Sequence, residues 1–196
     1  KNGEDADSGA AVVIDVRSGE VLACASYPTY DISSFNENYT NLISDKALPL
    51  WNRAVSGTYT PGSTFKPLVA IAALGEAKIS VDETIEDLGI YSEYNDYRPR
   101  CWIWSEQRKT HGCINVTEAI ENSCNYFFYE AGIRTGINNI SSYAEKFGLG
   151  NLTGTGLVEE TCGIVANPDN KKEIIIANKM DIPGSEEELK KKVLDI

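Results

Sequence analysis

The sequence predicts a mixed α/β domain of the α+β kind, in which a short antiparallel sheet is followed by packed helices. Three observations favour this class. The chain has 196 residues, 42% of them hydrophobic, which suffices for one globular core. Two β-branched runs near the start of the sequence flank a tight turn. Later segments place apolar residues at helical spacing, so strands come first along the chain and helices afterwards.

The predicted hairpin lies near the start of the sequence. Residues 9–16 and 20–26 are short runs rich in alanine and valine, and they flank Arg17-Ser-Gly19. Gly19 stands where a tight turn needs a positive φ, so the two runs are predicted to pair antiparallel. The polar residues 1–8 are predicted to be a linker.

Three helices are predicted after a long loop. The irregular mixture of Pro, Asn, Asp and Ser in residues 27–61 is typical of loop. A helix begins near Ser63, directly after Pro61-Gly62, and ends at Gly75. The other two are indicated by an N-cap at Asn115, with a helical pattern reaching Phe127 and Phe128, and by a pattern from about Asn138 or Asn139 to Gly148.

Charge and hydropathy exclude two classes of partner. The 29 acidic residues outnumber the 18 Lys and Arg, giving a net charge of −11, which repels nucleic-acid phosphates. The longest near-continuous apolar run, Leu68–Leu74, is far too short to span a membrane, and the sequence as given shows no leader. We therefore expect a soluble chain that does not bind nucleic acid.

Ser63 and Lys66 are candidate catalytic residues. A spacing of three places both side chains on one face of the first helical turn, where the amine reaches the hydroxyl. A lysine whose pKa is lowered by burial can then act as the base for a serine nucleophile. The sequence holds a single histidine, which agrees with a serine acyl-transfer enzyme that does not use one.

Two longer segments resemble a known family. The stretch from Trp51 to Pro67, WNRAVSGTYTPGSTFKP, resembles the nucleophile signature of class B penicillin-binding proteins, the D,D-transpeptidases that cross-link peptidoglycan. Residues 114–130 are similar to the segment carrying the family's S-x-N motif, here Ser123-Cys-Asn125. The resemblance covers about residues 9–170 and implies a penicillin-binding transpeptidase domain.

The resemblance implies roles for four residues. Ser63 is the acylated nucleophile, Lys66 takes its proton, Ser123 relays a proton to the leaving D-alanine, and Asn125 binds the substrate peptide amide. It further implies peptidoglycan stem peptides as substrates and β-lactams as their mimics. The family acts with cell-wall synthesis proteins at the extracytoplasmic face of the bacterial membrane. A β-lactamase, a β-lactam sensor and a non-catalytic fragment remain as alternatives.

The family's third motif, K-[ST]-G, does not occur in the sequence. The nearest string, Lys109-Thr-His111, lacks the glycine and precedes the S-x-N segment. In the family this motif binds the substrate carboxylate and supplies an oxyanion N–H. The resemblance therefore implies a truncated domain with an incomplete sheet and impaired turnover.

A zinc site is a separate possibility. Cys101, His111 and Cys113 lie close together along the chain, and they permit zinc binding if a fourth ligand, Asp96 or Cys24, folds near them. The other interpretation is buried free thiols and a packed histidine, with no cofactor.

The last 26 residues, 171–196, differ in composition from the rest of the chain. They contain Asn178-Lys-Met-Asp181, which resembles the N-K-x-D guanine-reading motif of Obg-like P-loop GTPases. No G-x-x-x-x-G-K-[ST] loop accompanies it, so nothing in the sequence would cradle the phosphates of GTP. We interpret this segment as a foreign tail, a strand plus a helix.

Overall fold

The computed structural model describes residues 6–93 and 97–167. They divide into two compact units. The first contains residues 6–59 together with Asn151–Gly163, and the second contains the described residues between Thr60 and Gly150 together with residues 164–167. Among the described residues, no helix is long and apolar enough to cross a membrane.

The first unit opens with the predicted hairpin. Strands β1 (Gly9–Ile14) and β2 (Val21–Tyr27) pair antiparallel. Gly19 has φ +78° in the turn between them, which is the backbone conformation that a side chain disfavours. The hairpin prediction is confirmed.

Helix α1 (Phe35–Ser44) interrupts the segment predicted as loop. A short 3₁₀ turn precedes it, and the Asp31 carboxylate caps this turn by accepting a hydrogen bond from the backbone N–H of Ser33. Phe35 and Tyr39 stack edge to face one helical turn apart. The loop prediction was wrong here because turn-forming residues also serve as helix caps.

The second unit is mostly helical and contains the predicted helices. Its helices are α2 (Lys66–Gly75), α3 (Trp102–Gln107), α4 (Val116–Glu121), α5 (Asn125–Thr135) and α6 (Ile137–Lys146). Helix α2 packs against α5 and α6, and fully buried Val69, Phe128 and Ala144 lie in the core that these helices share. The unit also has a small antiparallel sheet, β3 (Ile85–Asp87) with β4 (Gly112–Ile114).

The helical pattern after Asn115 is divided into two helices. Asn115 does cap α4, with a complete capping box to Glu118. Residues 122–124 then form a turn in which Ser123 adopts φ +49°, and α5 begins at Asn125. The chain is thus of mixed α/β class, with short antiparallel sheets and packed helices; the tail 171–196 lies outside the described residues.

Candidate active site and metal centre

The two candidate catalytic residues lie at the start of α2. The 3₁₀ turn Gly62–Phe65 carries Ser63 and leads directly into the helix, whose first residue is Lys66. Lys66 Nζ lies 3.2 Å from Ser63 Oγ. The predicted spacing therefore brings the amine to the hydroxyl. The lysine side chain is almost wholly buried, while Ser63 is half-buried.

The turn between α4 and α5 brings Ser123 and Asn125 close to the amine of Lys66. Lys66 Nζ donates to Ser123 Oγ (2.9 Å), to the Ser123 carbonyl oxygen (2.7 Å) and to Asn125 Oδ1 (2.7 Å). Ser123 Oγ in turn donates to Ser63 Oγ at 3.0 Å. Lys66 Nζ therefore lies within hydrogen-bonding distance of the other three residues predicted to be catalytic or substrate-binding.

Burial changes the acidity of the lysine. Desolvation lowers the pKa of Lys66 to about 8, outweighing the opposing effect of the buried thiols Cys124 and Cys101. Nζ also lies 5.8 Å from the centre of the buried Phe128 ring. An amine with this pKa is neutral in about a tenth of the molecules at pH 7 and in about half of them at pH 8, and the neutral form can accept the proton of a serine hydroxyl.

A second cluster of side chains lies in the same unit. Asp87, Cys101, His111 and Cys124 each offer one ligand atom, and these atoms all lie within 4.8 Å of one another. Cys101 Sγ is 3.8 Å from Cys124 Sγ and 3.5 Å from His111 Nδ1. Asp87 Oδ2 is 3.6 Å from Cys124 Sγ and 2.8 Å from His111 Nδ1. These side chains are all more than nine-tenths buried.

The cluster differs from the metal-ligand set predicted from the sequence. Cys101 and His111 belong to it, but Cys113 does not: it is exposed in β4, next to the buried Ile114, because successive strand residues face opposite sides. Cys24 is exposed in the first unit, and Asp96 lies outside the described residues. The other two residues of the cluster are Asp87 and Cys124.

Hydrogen bonds set the ionisation of this cluster. Burial raises the pKa of Asp87, but N–H groups of His111 and Gly89 donate to its carboxylate and leave the pKa lower than usual. The contact between the two thiols lowers the pKa of Cys101 and raises that of Cys124. The pair therefore loses one proton readily and the second with difficulty.

The comparisons with known proteins agree with this architecture. The family model described as "Penicillin binding protein transpeptidase domain" matches residues 9–181. Peptidoglycan D,D-transpeptidase MrdA of Escherichia coli strain K12 is 40% identical over 160 residues, which are 79% of this chain and 25% of that protein. The chain thus spans about a quarter of the length of the curated relatives it matches.

Solved structures give the same result. In the complex of penicillin-binding protein PBP2 with MreC from Helicobacter pylori, the similar chain is 28% identical with a TM-score of 0.76; the match covers 87% of this chain and 33% of that one. Penicillin-binding protein A from M. tuberculosis, solved as a penicillin G acyl-enzyme complex, is 28% identical with a TM-score of 0.67. That match covers 79% of this chain and 37% of the other chain. The chain belongs to the penicillin-binding protein transpeptidase domain family.

Proposed function

We propose that this chain carries the nucleophile half of a serine acyl-transfer site acting on peptidoglycan stem peptides. The observation that supports it is the buried amine of Lys66, which contacts Ser63, Ser123 and Asn125 together. A lone S-x-x-K pair at a helix start can be an ordinary cap, but a buried lysine shared by two hydroxyls and an amide is suited to moving protons.

The proposed reaction begins with neutral Lys66. Ser63 Oγ attacks the carbonyl carbon of the D-Ala-D-Ala peptide bond while its proton passes to Lys66 Nζ. The proton then moves through Ser123 Oγ to the departing nitrogen, so D-alanine leaves as an amine and the peptide remains as an ester on Ser63. A second amine attacks this ester, and the cross-link forms as Ser63 recovers its proton.

Asn125 has two functions in this scheme. Its Oδ1 accepts from Lys66 Nζ, which fixes the amine, and its amide N–H groups are donors suited to a peptide carbonyl. A β-lactam ring presents a comparable carbonyl, so β-lactams acylate Ser63 as mimics of the substrate. For the whole protein we also propose the extracytoplasmic location of the family. We further propose a cell-wall synthesis partner similar to MreC, which was solved in complex with PBP2 from Helicobacter pylori.

Intact-mass spectrometry with a fluorescent penicillin tests the acylation. We expect one covalent adduct on the unmodified chain and none on Ser63→Ala. Ser105→Ala removes an exposed serine of α3 and is the matched control, which should label as the unmodified chain does. A folded chain without an adduct contradicts the proposal. Rapid hydrolysis of the adduct would instead favour the β-lactamase alternative.

We also propose that Asp87, Cys101, His111 and Cys124 bind a structural zinc ion. A tetrahedral zinc with Zn–S bonds of about 2.3 Å and Zn–N bonds of about 2.0 Å separates two sulfurs by about 3.8 Å and a sulfur from a nitrogen by about 3.5 Å. The sulfurs of Cys101 and Cys124 are 3.8 Å apart, and Cys101 Sγ is 3.5 Å from His111 Nδ1. The Asp87–His111 contact of 2.8 Å is a hydrogen bond, and its two atoms would have to move apart by about 0.5 Å for both to hold the ion.

Such an ion stabilises the unit by cross-linking it. Its ligands come from the end of β3, the residue before α3, the residue before β4, and the turn before α5. A buried, four-ligand arrangement is typical of structural zinc rather than of catalytic zinc, which keeps an open position.

Elemental analysis after zinc loading and desalting tests the metal site. We expect one zinc per chain, strongly reduced retention in Cys101→Ser, and full retention in the matched variant Cys113→Ser. Zinc that is lost from both Cys113→Ser and Cys101→Ser would instead support the ligand set containing Cys113. Absence of zinc from the folded, unmodified chain contradicts both.

A further inference from the structure

Cys101 and Cys124 are neighbouring thiols that are not bonded to each other. Their sulfurs are 3.8 Å apart, and both residues are fully buried. A disulfide requires an S–S distance of about 2.05 Å, so the sulfurs would have to approach by about 1.8 Å. Each cysteine stands immediately before a helix, α3 or α5, with extended backbone dihedrals, so neither is fixed inside a helical turn.

We propose that Cys101 and Cys124 form a redox-sensitive pair in which zinc binding and disulfide formation exclude each other, and that the disulfide weakens acylation of Ser63. This inference rests on the proposed acyl transfer and zinc site. Neither acyl transfer nor zinc binding requires the two thiols to form a disulfide.

The oxidation is a thiol–disulfide exchange with a small-molecule or protein disulfide. One thiolate attacks a sulfur of the oxidant, forms a mixed disulfide and releases one thiol. The second thiolate attacks the sulfur of its neighbour, forms the Cys101–Cys124 bond and releases the second thiol. Two cysteine thiols are oxidised, one external disulfide is reduced to two thiols, and no other reactant is needed.

Zinc and the disulfide compete because both use the same sulfur lone pairs. A sulfur bound to zinc is not available to attack a disulfide, and a disulfide sulfur is a poor zinc ligand. Zinc also holds the two sulfurs about 3.8 Å apart, well beyond bonding distance. Metal loss is therefore the step that frees the two sulfurs to react, and the oxidant reaches the buried pair when this part of the unit opens locally.

The active site is sensitive to this bond because Cys124 lies between Ser123 and Asn125. Those two residues contact Lys66 through hydrogen bonds of 2.7–2.9 Å, which tolerate little displacement. Cys124 Sγ also accepts from the N–H of Phe127 in the first turn of α5. Movement of its sulfur toward Cys101 therefore shifts the turn that positions both catalytic groups, and a displacement of about 1 Å can lower a catalytic rate by about a hundredfold.

A variant with Cys24, Cys113 and Cys162 replaced by serine isolates the pair, because these three cysteines are exposed and belong to neither cluster. Metal-free and zinc-loaded samples are incubated with oxidised glutathione. Peptide mapping under non-reducing conditions measures the disulfide, elemental analysis measures zinc, and fluorescent penicillin measures acylation. Cys101→Asp in the same background is the matched control, since aspartate can bind zinc but cannot form the disulfide.

We expect the metal-free sample to form the Cys101–Cys124 disulfide, to lose at least about tenfold in labelling rate, and to recover with dithiothreitol. The zinc-loaded sample should resist oxidation, and the labelling rate of Cys101→Asp should not respond to glutathione disulfide.

Three results would overturn the inference: no disulfide in the metal-free sample, a disulfide that leaves labelling unchanged, or equal oxidation of a sample that retains zinc. Failures of the underlying proposals remain distinguishable. If the reduced chain is never labelled by penicillin, the proposed acyl transfer is contradicted, and so is the effect of the disulfide on acylation. Peptide mapping still measures the disulfide in that case. A chain that takes up no zinc contradicts the metal site and the protection by zinc.

Discussion

The pH dependence of Ser63 acylation tests the proposed role of Lys66 most directly. The amine must be neutral to accept the serine proton, so the rate follows the neutral fraction of Lys66. With a pKa of about 8, that fraction is about 0.1 at pH 7, about 0.5 at pH 8 and about 0.9 at pH 9. We therefore expect the rate of acylation to rise about tenfold between pH 7 and pH 9 and then to level off.

An unperturbed lysine predicts a different curve. With a pKa of 10.5 the neutral fraction rises about a hundredfold between pH 7 and pH 9 and shows no plateau in that range. The plateau, rather than the rise, is therefore the signature of the buried amine. Single-turnover labelling with a fluorescent penicillin measures the rate at each pH, after correction for hydrolysis of the reagent.

Two variants complete this experiment. Ser63→Ala gives the background at each pH, and Lys66→Arg keeps a positive charge that cannot be removed in this range, so it should not label at any pH. Circular dichroism verifies that both variants are folded. A flat profile in the unmodified chain would refute the role of Lys66 as base, and a steep rise without a plateau would refute its lowered pKa.

Three further predictions concern stability, measured by urea denaturation. Burial lowers the pKa of Lys66 from 10.5 to about 8 in the folded chain. Between these two pH values the unfolded chain therefore binds more protons than the folded chain, so the free energy of unfolding should rise with pH. The rise should be smaller in Lys66→Met. Asn115→Ala removes the capping box of α4 and should cost about 1 kcal/mol. Gly89→Ala places a methyl group against the Trp104 ring at a residue with φ +82°, so it should lower the free energy of unfolding by about 1–3 kcal/mol. Gly132→Ala in α5 is the control: the added methyl group has no contact within 4 Å outside its own helix, so the free energy of unfolding should stay the same or rise.

The sequence was sufficient for the features that depend on local chemistry. The hairpin turn at Gly19, the cap at Asn115 and the spacing of Ser63 from Lys66 each involve residues a few positions apart, and the structure contains all three. Joining Ser63 to Ser123, which is 60 positions away, required the family resemblance. No periodicity or spacing rule connects two segments so distant along the chain.

The cluster of Asp87, Cys101, His111 and Cys124 depends on contacts that the sequence pattern does not reveal. Asp87 reaches His111 because β3 and β4 pair, and these strands have only three residues each, too few to give a periodic signal. Cys124 lies inside the S-x-N motif, 13 positions after His111, and no metal-ligand spacing rule joins it to Cys101 and His111. Cys113 is predicted as a ligand because it is near His111 along the chain, but it is exposed in β4, whereas the side chain of His111, just before that strand, is buried.

The turn at residues 122–124 connects the two clusters because successive side chains there face different partners. Ser123 and Asn125 contact Lys66, while Cys124 contacts Cys101 and Asp87. The positive φ of Ser123 costs about 1 kcal/mol or more, and it persists only where the surroundings enforce it. Lys66 does so by donating to both the carbonyl and the hydroxyl oxygen of Ser123. The amine that is proposed to accept the serine proton therefore also holds the backbone of Ser123 in place, so replacing Lys66 is expected to disturb the turn as well as the proposed proton transfer.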